Sequence, residues 1–250
     1  MAGRIKTSGI VDCPMHPTKD GDYFPTEKCP DCRPYMYLNP DELWFSTPDS
    51  NTLCRLGGNG PAHPSQLYAI KKYVGPGMSF LDYGAGSGTT WEAIEKELPD
   101  LKLVYLGVDI IPKNVEWCNE QFPNAIFQRN PSIHEIDQED GSWDVVYSRH
   151  VVDHMESFEE AMNEHKRVAK KLVIVILWTG FVNSDEHEIK NIVDQRGLPT
   201  EKLYPNEYTN NYSRKKVVEY LNSDPEWELL ELNENVGGNQ VIVLRRKNAT

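Results

Sequence analysis

A glycine-rich segment between an apolar run and an amphipathic run holds the residues whose spacing points most directly to chemistry. Residues 78–81 predict a buried strand that Asp82 closes, and Gly84, Gly86 and Gly88 follow at alternate positions. Apolar residues then recur at helical spacing, so the glycines form a turn from strand to helix. Such a turn lets a ligand approach the backbone and presents helix N–H groups to it. The segment predicts a small-molecule site, and a tight turn without a ligand is the alternative.

The spacing of the glycines distinguishes between classes of ligand. A dinucleotide site uses G-x-G-x-x-G, which would need glycine where this chain has Thr89. A phosphate loop ends in Gly-Lys followed by Ser or Thr, and this segment has no such ending. An acid before G-x-G-x-G instead resembles the first motif of class I S-adenosylmethionine (SAM) dependent methyltransferases. The resemblance implies a cofactor-binding set made of Asp82, Gly84, Ala85, Gly86 and Gly88.

Further residues at the ends of predicted strands complete the implied cofactor site. Asp109 closes the next apolar run, where a carboxylate can accept both ribose hydroxyls of a nucleoside. A helix N-cap is the alternative role of Asp109. In the resemblance Ile110 flanks the adenine, and Asn130 stands where an acid or amide contacts the adenine amino group. Asn130 could equally cap its turn. Ser148, at the end of the fourth predicted strand, is the last member of the set.

Two histidines follow that fourth strand, where the family has residues near the reacting centre. His150 is a candidate catalytic base, because histidine titrates near neutral pH. Packing beside the cofactor is the alternative for His150 and the favoured role of His154. The two lie four residues apart, but no third zinc ligand is evident. The resemblance implies direct methyl transfer, in which the protein aligns a nucleophile with the S–CH3 bond and excludes water.

The first 50 residues carry a second constellation, of metal-ligand type. Two residues separate Cys13 from His16, and two separate Cys29 from Cys32, so two turns can aim four ligands at one Zn2+ in a tetrahedron. The stretch also resembles the short heavy-metal-binding module of metal-transport proteins, although Arg33 departs from that pattern. We expect a closed structural zinc site without catalysis. A loop with free cysteines is the alternative.

Composition limits the partners of the chain. It has 250 residues with a net charge of −12, which argues against strong binding to nucleic acid and favours a small-molecule acceptor. No apolar run reaches the roughly 18 residues of a membrane span, and no apolar signal core stands at residues 1–6. A cytoplasmic protein is therefore expected, whose five cysteines are thiols or metal ligands.

The order of the predicted elements gives the fold class. Strands alternate with helices and a terminal hairpin follows, which predicts a doubly wound α/β sheet. The resemblance spans residues 62–246 and implies a Rossmann-like, seven-stranded, mostly parallel sheet whose last strand is antiparallel. We divide the chain into two parts. Residues 1–50 form a small zinc-binding module appended to the fold, and residues 51–250 form the methyltransferase domain. Residues 179–212 form a substrate cap or a surface loop, with a helix predicted at 185–196.

The sequence therefore predicts a SAM-dependent methyltransferase acting on a small-molecule acceptor. Two alternatives remain open. One is a SAM-binding or metal-binding regulatory protein without transferase activity. The other is a methyltransferase of a macromolecule that the zinc module docks. The acceptor, the atom that is methylated and the oligomeric state cannot be read from the sequence.

Overall fold

A computed structural model describes residues 64–110, 112–132, 134–155, 157–191 and 208–248. The proposed zinc ligands Cys13, His16, Cys29 and Cys32 lie outside the described residues, and so do residues 192–207 of the predicted cap. The ranges given first make up the described part of the chain.

A seven-stranded sheet forms the centre of this part. Its strands are β1 (Ser79–Tyr83), β2 (Val104–Asp109), β3 (Ile126–Arg129), β4 (Trp143–Arg149), β5 (Ala169–Leu177), β8 (Trp227–Val236) and β9 (Asn239–Arg246). The spatial order is β3-β2-β1-β4-β5-β9-β8. Strands β1 to β5 pair in parallel, whereas β9 is antiparallel to both β5 and β8. The predicted sheet, with its antiparallel last strand, is confirmed.

Helices cover both faces of the sheet. They are α1 (Pro64–Tyr73), α2 (Thr89–Glu97), α3 (Pro112–Gln121), α4 (Phe158–Val168) and α5 (Arg214–Ser223). The first three share one buried apolar cluster with the sheet, and α4 and α5 share the other. Burial on both sides explains the continuous apolar run of β5, as in parallel sheets generally. In the described part of the chain, no helix is long and apolar enough to span a membrane.

The residue types at the start of α4 and at the turn between β8 and β9 suit the backbone there. Ser157 caps α4 by accepting a hydrogen bond from the Glu160 amide, at 3.2 Å. Gly237 and Gly238 join β8 to β9 with φ values of 62° and 89°, which glycine adopts without strain.

The helix predicted at 185–196 is wrong for its described residues. Residues 188–191 form a strand, β6 (Glu188–Asn191), which pairs antiparallel with β7 (Tyr208–Asn211). Ile189, expected on the inner face of the helix, is exposed. The hairpin is instead anchored by Tyr212, whose fully buried ring packs on Phe158, with 5.0 Å between ring centroids. Tertiary packing of Tyr212 therefore overrides a short helical pattern.

Candidate functional site

The order of the strands reverses between β1 and β4, and ligands of such sheets bind beyond the carboxyl ends of the strands at this point. The glycine turn lies there, between β1 and α2. Its backbone is left-handed at Gly84, Gly86 and Gly88, with φ values of 76°, 54° and 70°. Side chains other than glycine are strained in this conformation, so the three glycines are required by the path of the chain.

The three glycines differ in how much space a side chain would find at each position. A Cβ on Gly84 would lie 2.3 Å from Val151 Cγ2, and one on Gly88 would lie 2.6 Å from Phe122 Cε2. Packing against protein therefore accounts for both positions. A Cβ on Gly86 would meet no heavy atom of the described chain within 4 Å. Gly86 is thus the position where the turn borders space that no described residue fills, at the edge of the sheet.

Asp109 ties the glycine turn to the neighbouring strand. Its Oδ2 accepts a hydrogen bond from the Gly86 amide at 2.8 Å, and its Oδ1 accepts one from the Asn114 side chain at 3.2 Å. The carboxylate of Asp109, predicted to hold ribose, therefore lies directly beside the open position of the turn. Ile110 follows it at the same edge and is half-buried.

Asp82 lies beneath the turn and is almost fully buried. Tyr105 donates its hydroxyl to Oδ2 of Asp82 at 2.7 Å. Burial raises the pKa of Asp82 to about 7, although hydrogen bonds from Tyr105 and Thr90 and the positive charge of Arg149 act in the opposite direction. The carboxyl group thus titrates near neutral pH at the edge of the predicted cofactor site.

Ser148 presents its side chain to the other face of the sheet. Its hydroxyl lies 2.9 Å from Nε2 of His165, whose Nδ1 is 2.6 Å from the Ala161 carbonyl. Burial lowers the pKa of His165 to about 4. The ring is therefore neutral, with Nδ1–H donating to Ala161 and Nε2 accepting from Ser148. A ligand at the predicted site could therefore contact Ser148 only through its main chain.

Asn130 organises the loop after β3. Its Oδ1 accepts from the Asp137 amide at 2.8 Å, and its amide nitrogen donates to the carbonyls of Ser132 and Glu135. The alternative role, in which Asn130 holds its own turn, is thereby observed.

His150 directly follows β4 and has a left-handed backbone, with φ of 59°. Its amide continues the sheet by donating to the Ile176 carbonyl at 2.8 Å. The side-chain amide of Asn239 lies 3.0 Å from His150 Nε2 and donates to Ser65 Oγ at 2.8 Å. The imidazole is therefore positioned by β9 and α1. Sequence reasoning missed Asn239 and Ser65, which no motif marks.

Arg149, the last residue of β4, was also missed. Its Nε is buried and has no hydrogen-bond partner in the described part of the chain. Its charge acts on the carboxyl of Asp82 and on the hydroxyl of Tyr147. Alternation along a strand places Arg149 on the face of Tyr147, which is the one signal in the sequence that could have found it.

A metal site is not formed by the residues that the structure describes, because no three of their His, Cys, Asp or Glu side chains are grouped to hold an ion. His154 instead lies beside the exposed ring of Trp178, with 6.0 Å between ring centroids.

Comparison with known proteins agrees with this geometry. Residues 81–177 match the family model described as a methyltransferase domain. A SAM-dependent methyltransferase structure from Aquifex aeolicus aligns with 16% identity and a TM-score of 0.54, over 78% of this chain and 98% of that chain. One from Mesorhizobium loti aligns with 11% identity and a TM-score of 0.55, over 75% of this chain and all (100%) of that chain. No curated protein sequence matches significantly.

The fold is thus that of a Rossmann-like methyltransferase. The matched segment includes the glycine turn and β4, and the two solved SAM-dependent methyltransferase structures share the fold of this chain. At identities of 16% and 11%, this similarity shows a shared fold alone.

Proposed function

We propose that the protein transfers the methyl group of SAM to a small-molecule acceptor. The observation that carries this proposal is the opening at Gly86. A left-handed glycine borders open space at the point where the strand order reverses, with Asp109 held against its amide. The two nearby carboxyl groups, of Asp82 and Asp109, disfavour a phosphate and favour a cation or sugar hydroxyls.

The residues present fit SAM part by part. The Asp109 carboxylate, which accepts from Gly86 and Asn114, lies where ribose hydroxyls would donate to it, and a carboxylate has about four acceptor sites. Ile110 follows on the adenine side, and Asn130 holds the loop that borders it. When bound, SAM supplies a methyl group that its sulfonium makes electrophilic.

His150 is our candidate base on the acceptor side. In the described arrangement its Nε2 accepts the Asn239 amide, so taking up a proton there requires the amide to turn away. Asn239 is a positioning residue in this proposal, because it fixes the ring against β9. The base is needed only if the acceptor must lose a proton. The exposed Trp178 ring beside His154 offers an apolar surface at the same edge of the sheet.

Binding and turnover together test the proposal. Calorimetry should detect one molecule of SAM or S-adenosylhomocysteine per chain. Incubation with SAM labelled in its methyl group and a library of small hydroxyl, amine, thiol and carbon acids should then yield a labelled product. Binding without transfer to any acceptor would instead support the regulatory alternative. Labelled product from protein or RNA fractions alone would support a macromolecular acceptor.

We propose in addition that Cys13, His16, Cys29 and Cys32 bind one structural Zn2+. The support is the ligand set itself, since two pairs with two-residue gaps suit a closed tetrahedral site. Such a site leaves no open coordination position, so we assign the metal no step in methyl transfer. Metal analysis of the purified protein tests the assignment.

A further inference from the structure

One arginine of the described chain differs from the others in its bonding. Arg167, for comparison, donates to Glu164, to Asp140 and to the carbonyls of Gln138 and Ile136. The Nε atoms of Arg149 and Arg246 are both buried without a hydrogen-bond partner in the described part of the chain, but Arg246 still donates to the Lys166 carbonyl through another guanidinium nitrogen. A buried donor of a charged group is costly when unsatisfied, so we expect Arg149 to bind a partner other than the described residues.

The position of Arg149 relates it to the glycine turn. Strands β1 and β4 are neighbours, with Asp82 opposite Tyr147. Arg149 lies two residues beyond Tyr147, on the same face and one step nearer the carboxyl edge. It therefore stands beside Asp82 at the point where the strand order reverses.

Asp82 and Arg149 carry opposite charges without forming an ion pair with each other. The carboxyl of Asp82 is turned to Tyr105, which donates to it at 2.7 Å. The arginine nonetheless lowers the pKa of Asp82 through its charge, so the two groups lie within electrostatic reach. A ligand that presents an ammonium group next to a carboxylate matches this pair. A phosphate would meet the negative Asp82, and an uncharged ring would leave the arginine unsatisfied.

We propose that Arg149 binds the carboxylate at the amino-acid end of SAM, while Asp82 faces the ammonium group. The inference rests on the proposed function and names a residue of the same site. A guanidinium suits this task because its planar fork can hold both oxygens of a carboxylate. Arg149 would thereby fix the tail of the cofactor while the glycine turn receives the nucleoside.

Two ligands separate this role from general damage to the site. S-adenosylhomocysteine has the amino-acid end, whereas 5′-methylthioadenosine keeps the nucleoside and the sulfur but lacks that end. In titration calorimetry, Arg149→Met should bind S-adenosylhomocysteine with an affinity lower by about tenfold or more, because one charge-assisted hydrogen bond is lost. Affinity for 5′-methylthioadenosine should stay within about twofold. Arg149→Lys keeps the charge but not the planar guanidinium. Its affinity for S-adenosylhomocysteine should therefore lie between those of the wild type and Arg149→Met.

The controls distinguish the possible failures. Arg245→Met removes an arginine that pairs with Glu228 on the distant β8–β9 hairpin, and it should change neither affinity. Equal weakening of both ligands by Arg149→Met, or no weakening of either, would overturn the inference. Partial unfolding of the variant would lower the fitted stoichiometry for both ligands and leave both dissociation constants unchanged, so the same titrations distinguish it from weakened binding. A wild-type protein that binds neither ligand would refute the proposed function itself.

Discussion

Replacing Gly86 with alanine separates ligand binding from folding at the glycine turn. The added methyl group would meet no heavy atom of the described chain within 4 Å, and the amide that donates to Asp109 is retained. The cost to the fold is therefore the left-handed strain alone, about 1–2 kcal/mol at φ of 54°. If the nucleoside approaches the backbone here, the methyl group occupies its space. Overpacking of about 1–3 kcal/mol then weakens binding by about 5- to 150-fold.

Gly141→Ala is the matched control for this prediction. Gly141 has a similar φ of 59° and equally open surroundings, but it precedes β4 at the opposite edge of the sheet. Urea unfolding should give both variants a similar loss of stability. Calorimetry with S-adenosylhomocysteine should show lost affinity only for Gly86→Ala. Wild-type affinity in Gly86→Ala, or an equal loss in Gly141→Ala, would refute the assignment of the open space to the ligand.

Three more predictions concern separate groups. Because burial raises the pKa of Asp82 from 3.8 to about 7, the stability that this group contributes is present below pH 3.8 and lost towards pH 7. The unfolding free energy of Asp82→Asn relative to wild type should thus rise by up to about 4 kcal/mol between pH 4 and pH 8; a constant difference in urea titrations would contradict this. His150→Asn tolerates the left-handed backbone and should keep affinity for S-adenosylhomocysteine while turnover falls about 100-fold; unchanged turnover across pH would exclude a base. Cys29→Ser should abolish the bound zinc measured by mass spectrometry, whereas Cys54→Ser, which changes a cysteine outside the proposed ligand set, should retain it. Equal zinc in both variants would exclude the proposed zinc site.

The parts of the fold that the sequence predicts well depend on local signals. Continuous apolar runs mark β1, β2, β4 and β5, and the left-handed turn at Gly84, Gly86 and Gly88 needs the residue type that the sequence provides. The position of Asp109 beside that turn follows from its place at the end of the next parallel strand. These features require no knowledge of distant partners.

The features that the sequence predicts poorly depend on distant partners. Residues 188–191 pair with a strand about 20 residues away, and this pairing replaces the expected helix. The partner of His150, Asn239, is 89 residues away along the chain. The side chain of Ser148 is directed to His165 because strand alternation sets its face, which the family motif does not encode. Arg149 becomes conspicuous only when its lack of a partner is known.

The crystal structure of the protein with S-adenosylhomocysteine tests the central claim most directly. The account predicts that the sulfur and ribose lie against the turn at Gly86, with the ribose hydroxyls donating to Asp109 and the carboxylate at Arg149. Density for the ligand elsewhere, or a site at the turn that stays empty at saturating ligand, would contradict it.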